Sequence, residues 1–242
     1  MNPTRTADPW TQRVQHTDWH QVRTGLDEVG CALTGPLLTA SEAQQIAALY
    51  PDRARFRSTI TMSRYRFGEG EYRYFAHPYP DVVVALKRAL YPQLLPIARE
   101  WWTRLGRHAP WPDDFDQWLQ MCHDAGQTKS TVILLKYGAG DWNALHRDLY
   151  GELIFPLQVV INLNDPGVDY TGGEFLLYEQ RPRAQSRGIA ITIPQGHGLV
   201  FTTRDRPVRS VRGWSAAPVR HGVSVIRSGT RFALGLVFHD AT

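Results

Sequence analysis

From about residue 126 onward, β-branched and aromatic runs recur every 10 to 20 residues, with glycine-rich turns and no helical period between them. Seven strands are predicted, at 131–137, 153–164, 174–178, 189–193, 199–203, 219–226 and 231–239. Parallel pairing needs crossovers of about a dozen residues, usually helical, and these turns supply none. An antiparallel sandwich or jelly roll is therefore the expectation for this half.

The first half has another character. Thr39 and Glu42 are spaced as a capping box ahead of the run SEAQQIAALY, and residues 81–105 carry apolar side chains at helical intervals interrupted by Pro92 and Pro96. Two or three packing helices are predicted. Between them FRSTITMSRYRFGEGEYRYFAHPYP shows no clean period and predicts short strands with a long loop. The chain of 242 residues thus reads as an α+β fold. A double-stranded β-helix (jelly-roll) core would occupy 126–242 and mainly helical support 1–125, forming one structural unit.

Apolar residues make up 43% of the sequence and include eight Trp, ten Tyr and nine Phe, which excludes wholesale disorder. No apolar run approaches the roughly 18 residues of a membrane helix, and the polar start MNPTRTADPWTQRVQ lacks a leader pattern. A cytoplasmic protein without a membrane span is the expectation. Cys31 and Cys122 are too few for a disulfide framework or a cysteine-based zinc site. Charge is uneven along the chain. Residues 181–231 hold ten arginines and one acid, Asp205, a net +9 that leaves −5 for the remainder of a chain carrying +4. Such asymmetry suggests that one end of the fold attracts an anion, a dicarboxylate or a phosphate backbone.

Within the β-region, KYGAGDWNALHRDLYG contains His146 and Asp148. Residues two apart on an extended strand project to one side, so this imidazole and carboxylate can converge. His221 is the candidate third ligand, since it shares parity with Val219, Val223 and Val225 and so falls on the inward side of its strand. Two imidazoles and one carboxylate leave three positions of an octahedral ferrous ion open, as in non-haem iron oxygenases. Arg231 follows His221 by ten residues, across a predicted turn at 227–230, and Ala233 and Gly235 leave room on its side. If the two strands pair, about 16 Å of ladder separates these residues, which suits a five-carbon dicarboxylate held at its far end by the guanidinium. His197, in PQGHGLVF, is the rival third ligand, but no arginine follows it at a suitable distance on the next strand. His239 shares Arg231's parity.

The runs HRD, NLND, TGGEF, QGHGLVF and RHGVSVIRSGTRFALGLVFHDA resemble the Fe(II)/2-oxoglutarate-dependent oxygenase superfamily. From about Phe56 onward, FRSTITMSRYRFGEGEYRYF, LHRDLYGELIFPLQVVINLN and GGEFLLYEQRPRAQSR resemble a bacterial family of such oxygenases described as acting on damaged DNA. The resemblance implies that His146, Asp148 and His221 bind Fe(II) and that Arg231 binds the distal carboxylate of 2-oxoglutarate. It gives Tyr137, nine residues before His146, a co-substrate contact like that of the corresponding tyrosine in AlkB-like demethylases and prolyl hydroxylases. It also implies O2 as oxidant, with succinate and CO2 released as a substrate C–H bond is hydroxylated. Two positions depart from the AlkB-like pattern: Leu135 stands where those enzymes have asparagine, and Val237 where they have a second arginine. The close His221–Arg231 spacing and GGEF are nearer the prolyl hydroxylases.

Three readings of function follow. The first is a nucleic-acid oxygenase, in which the arginines of EQRPRAQSRG and TTRDRPVRSVRGW hold phosphates and Trp142, Trp214 or Tyr170 stacks a base. The second is a prolyl-hydroxylase-like protein, peptide or amino-acid hydroxylase. The third is a non-catalytic, cupin-like metal-binding module.

Overall fold

A computed structural model describes residues 8–148, 150–180, 185–211 and 213–242. Five α-helices occupy the first half: α1 (Pro9–Gln15), α2 (Trp19–Val29), α3 (Ala40–Ala47), α4 (Asp81–Arg104) and α5 (Phe115–Asp124). Helix α3 begins at the predicted capping box: Thr39 accepts from the Glu42 N–H at 3.2 Å, and the Glu42 carboxylate accepts from the Thr39 N–H at 2.7 Å. Helix α4 corrects the expected interruption. It runs unbroken for 24 residues with Pro92 and Pro96 inside it. Each internal proline costs roughly 3 kcal/mol in a helix. Here α4 buries Val83, Leu86, Leu90, Tyr91, Leu94, Ile97, Ala98 and Trp101, and that tertiary burial outweighs the lost backbone bonds.

The strands in the first half are β1 (Cys31–Pro36), β2 (Phe56–Thr61), β3 (Gly68–Glu69) and β4 (Glu71–Phe75). The second half supplies β5 (Ile133–Tyr137), β6 (Trp142–His146), β7 (Leu157–Asn162), β8 (Tyr170–Gly172), β9 (Phe175–Glu179) and β10 (Arg187–Ile191). It continues with β11 (His197–Thr202), β12 (Asp205–Ser210), β13 (Gly213–Val223), β14 (Ile226–Gly229) and β15 (Arg231–Val237). All seven predicted strands are present, with ends shifted by a few residues. Four more, β6, β8, β12 and β14, join them. Among these, β12 forms a hairpin with β13 from Asp205↔Pro218 to Ser210↔Gly213, so most of TTRDRPVRSVRGW is ordered sheet and not a free loop. Residues 181–184 of the other basic segment lie outside the described residues.

Two main antiparallel sheets result, with β8 and β14 paired apart from them. The larger has the order β1-β11-β7-β15-β5-β4-β2, and the smaller β10-β9-β13-β6-β3, with β12 attached to β13. From β5 onward the chain passes between them: β5, β7, β11 and β15 lie in the larger sheet, and β6, β9, β10 and β13 in the smaller. Strands from the first half extend both sheets, β1 on β11, β4 on β5 and β3 on β6. Strand alternation then divides the core. Leu134, Ile161 and Leu234 face the helices, whereas Leu135, Val160 and Ala233 face the space between the sheets. Strand β7 is buried at every position, because helices cover one side of its sheet and the second sheet covers the other. No helix among the described residues is long and apolar enough to cross a membrane.

Candidate active site

The sheets enclose a cavity of about 340 Å³, a size typical of small-molecule sites. Strand parity decides what it contains. Arg231, Ala233, Gly235 and Val237 alternate inward along β15, and Leu135 and Tyr137 along β5. From the smaller sheet come His146 and His221, which are directly paired across β6 and β13. Asp148 lies two residues beyond the end of β6 and turns back to the same point. Ligand atoms of His146, Asp148 and His221 all fall within 4.8 Å of one another, a grouping that can hold a metal ion. His146 Nε2 is 3.4 Å from Asp148 Oδ1, and His221 Nε2 is 3.1 Å from Asp148 Oδ2.

The surroundings orient these groups. His146 Nδ1 donates to the Ala144 carbonyl at 2.7 Å, which orients the ring with Nε2 toward Asp148. The His221 ring stacks on Phe175, with centroids 5.8 Å apart and planes at 6°, and meets the edge of Phe201 at 4.7 Å. Tyr150 donates its hydroxyl to Asp148 Oδ1 at 3.2 Å. Charge states follow from burial and pairing. Burial disfavours the Asp148 carboxylate, but the charge of His221 and hydrogen bonds from both imidazoles outweigh it and hold its pKa well below the usual range. Burial pushes the His221 pKa down, against the field of Asp148. For His146 burial acts in the same downward sense, yet hydrogen bonding and charge from Asp148 carry the net shift upward. An ionised carboxylate flanked by two imidazoles that can give up their Nε2 protons is the donor set that a divalent transition metal requires.

Arg231 faces this cluster from the larger sheet. It is 2% exposed, its Nε has no hydrogen-bond partner, and its side chain forms no ion pair among the described residues. Its guanidinium carbon lies 5.7 Å from the Tyr137 ring centroid and 6.0 Å from that of Tyr170. Tyr137 is directly paired with Arg231 across β5 and β15, and it accepts a hydrogen bond at 3.3 Å from Asn143 Nδ2 on β6. The two glycines of TGGEF make room for this arrangement. Gly172 and Gly173 have φ of 75° and 66°, and a Cβ on Gly173 would lie 2.3 Å from Ile226 Cδ1 and 3.2 Å from Arg231 Cδ.

Several expectations need correction. Strands β13 and β15 do not pair, because the intervening segment forms β14 against β8 and carries the chain to the other sheet. His221 and Arg231 therefore face each other across the cavity, and spacing along a shared ladder does not describe their separation. Val225 lies beyond the end of β13 and is 50% exposed, so it does not share His221's inward side. Tyr170 is buried, with its hydroxyl accepting from Asn162 Nδ2 at 3.1 Å, which leaves no face for a base. Trp214 is covered by Arg104 and Arg209, whereas Trp142 is exposed. His197 and His239 are absent from the cavity wall. The arginine-rich window is also partly structural: Arg206 is buried against Glu179 and the Asp27 and Glu28 carbonyls.

Sequence reasoning missed Tyr150, Asn143 and Gln158, which all line the cavity. Gln158 is buried, and its Nε2 has no partner. It lies in a run of six buried β7 residues, where a lone amide amid apolar neighbours is the available signal.

Residues 70–241 match the Oxygenase-NA family, described as an oxygenase catalysing oxidative methylation of damaged DNA. Two proteins of Mycobacterium tuberculosis, each named as uncharacterised, are 72% identical over 167 residues, covering 69% of this chain and 72% of theirs. Among solved structures, a Pseudomonas putida prolyl-4-hydroxylase aligns with a TM-score of 0.54 at 14% identity, covering 93% of this chain and 99% of the other. A Trichoplax adhaerens prolyl hydroxylase, bound to a hypoxia-inducible-factor peptide, aligns with a TM-score of 0.53 at 16% identity, covering 96% and 93%. At such identities the likeness is one of fold. The family match spans more than half of the chain, and on that ground the protein belongs to the Oxygenase-NA family of oxygenases.

Proposed function

We propose that this protein is an Fe(II)- and 2-oxoglutarate-dependent dioxygenase that hydroxylates a C–H bond of a damaged, alkylated nucleic acid, releasing succinate and CO2. His146, Asp148 and His221 hold the iron, and Arg231 with Tyr137 holds the distal carboxylate of 2-oxoglutarate. The two sheets form a double-stranded β-helix, a reading supported by the passage of successive strands between them. Residues 126–242 are its catalytic core, and residues 1–125 its support. One observation carries the assignment. A buried guanidinium without an acceptor costs several kcal/mol, and it faces a His-Asp-His cluster across the cavity, where a small diacid would satisfy both.

When bound, the iron and 2-oxoglutarate supply the oxidising chemistry with O2. The chain supplies the rest. The imidazoles of His146 and His221 and the Asp148 carboxylate would hold the metal and, being only three ligands, would leave it able to take further ones. Tyr150 and the Ala144 carbonyl keep Asp148 and His146 aimed at one point. Phe175, Phe201, Val160 and Leu135 exclude water from the walls.

A succinate-release assay with Fe(II) and 2-oxoglutarate tests the reading, run alone and with alkylated oligonucleotides, peptides or free amino acids. Stimulation by alkylated oligonucleotides alone is the expected result. Stimulation by peptides alone would move the protein to the prolyl-hydroxylase-like reading that its fold relatives suggest. No turnover under any condition, with metal bound, would leave only the non-catalytic metal-binding module.

A further inference from the structure

We propose that the segment Arg64-Tyr65-Arg66-Phe67 is a preformed docking platform for single-stranded nucleic acid at the mouth of the cavity. The proposal rests on the oxygenase reading above and names the surface that would present the strand to it. All four side chains are exposed, and they alternate between guanidinium and aromatic ring. Tyr65 is 56% exposed and Phe67 44%, yet their rings stack on each other with centroids 5.6 Å apart and planes at 20°. Two large aromatics presented to water as a parallel pair are not a core feature. They extend a column of π-faces onto which unpaired bases can stack.

The platform is rigid and tied to the metal-binding strand. Met62 beneath it is fully buried between the sheets and accepts through its carbonyl from the Phe67 N–H at 3.1 Å. The Phe67 carbonyl in turn accepts from the Ala144 N–H at 2.8 Å, two residues before His146. Gly68 follows with φ of 121°, and a Cβ there would sit 2.3 Å from the Trp142 carbonyl oxygen, so the segment lies flush against β6. Phe67 also lines the cavity. Arg66 adopts the left-handed conformation, φ 60° and ψ 31°, as the only described non-glycine residue with positive φ. A left-handed arginine on the surface is a local cost that no packing of its own side chain offsets, and such strain concentrates at functional sites.

Charge selects the occupant. Arg64, Arg66 and the rim residue Arg147 form no ion pair or side-chain hydrogen bond among the described residues, although other surface arginines, such as Arg88, Arg99 and Arg204, do. Glu69, on β3, is an exposed acid in the same stretch. Unpaired guanidiniums interleaved with stacked rings match the alternation of phosphate and base along one strand. An acidic peptide would meet the guanidiniums and leave the ring faces unused.

Fluorescence anisotropy with a labelled single-stranded thymidine oligonucleotide, across a salt series, tests this on the full chain. Wild type should bind with an affinity that falls steeply with salt. Tyr65→Ala together with Phe67→Ala should weaken binding by at least tenfold and leave the salt slope unchanged. Arg64→Gln together with Arg66→Gln should lower the slope by about 1.4, or 0.7 for each phosphate that is no longer neutralised. The unfolding midpoint of each variant checks that it folds. Absence of wild-type binding, equal affinity for a polyglutamate peptide, or wild-type affinity in both variants would overturn the platform. Succinate release by the wild type without oligonucleotide reports separately on the oxygenase reading, so failure of one is distinguishable from failure of the other.

Discussion

Replacing Arg231 with methionine separates a binding role from a structural one, because the two predict opposite changes in stability. In the ligand-free protein this guanidinium is 2% exposed and its Nε is without an acceptor. Effective desolvation of an unpaired ion costs several kcal/mol, and only the ring faces of Tyr137 and Tyr170 offset it, at about 0.5–2 kcal/mol. Methionine keeps an unbranched stem beside Gly173 and removes the charge. The ligand-free variant should therefore be more stable by about 1–3 kcal/mol, a rise of several degrees in melting temperature for a domain of this size. Binding should change the other way. Breaking a buried guanidinium–carboxylate pair costs about 3–5 kcal/mol, so affinity for 2-oxoglutarate should fall at least a hundredfold. Thermal unfolding under anaerobic conditions with Fe(II), with and without 2-oxoglutarate, reads both effects. At a ligand concentration a hundred times its Kd, wild type gains about 2.7 kcal/mol and the variant should gain almost nothing. A variant that melts lower than wild type and keeps the full 2-oxoglutarate shift would show that Arg231 is a structural side chain with no part in holding the diacid.

Other positions give independent tests. His146→Ala or Asp148→Ala should reduce succinate release to background and lower bound iron measured by elemental analysis; wild-type iron content in either would contradict the assignment. Tyr150→Phe removes the hydroxyl donated to Asp148, and should weaken iron retention about tenfold in a chelator-competition assay. Gly173→Ala imposes a Cβ at φ of 66° against Ile226 and Arg231, so both the unfolding midpoint and 2-oxoglutarate affinity should fall. Lys87 is wholly buried in α4, and its Nζ has no hydrogen-bond partner. Burial lowers its pKa from 10.5 to about 8. Below pH 8 both folded and unfolded chains carry the proton, and the penalty is fully present. Between pH 8 and 10.5 the unfolded chain binds more protons than the folded one, so wild-type stability gains on that account. Lys87→Met should stabilise the protein by about 2–3 kcal/mol at pH 7, with the gain shrinking as pH rises through that window. A constant difference across pH in denaturant titrations would show that Lys87 does not titrate in that range.

The residues of the site are more legible in the sequence than their arrangement. His221 and Arg231 are recognisable because strand parity is a local property and a charged side chain on the apolar side of a strand stands out within five residues, whereas Asp148 lies beyond the end of β6 and reaches His146 through a turn and not through parity. Which strands become neighbours is not local. The ten residues from His221 to Arg231 read as a hairpin, but Ile226 to Gly229 pair with β8, and the chain crosses between sheets. Similarly, Pro92 and Pro96 suggest a break, since the burial that holds α4 together comes from partners far along the chain. Tyr150 is invisible because its bond to Asp148 depends on how the chain turns after β6, where no periodicity applies.

That crossing also explains why the site depends on the core as a whole. The smaller sheet carries both histidines, and the larger carries Arg231 and Tyr137. No single element spans the gap between the His146–Asp148–His221 cluster and the guanidinium, so its width is set by the inter-sheet packing of Leu135, Val160, Phe175, Phe201, Val219 and Ala233. Close-packed interiors resist changes of even one methylene. A volume change at Ala233 or Val160 would therefore alter the span available to a diacid without touching any group that binds it. On the proposed reading, those small apolar side chains would set the length of acid the cavity accepts, as Arg231 would set its charge.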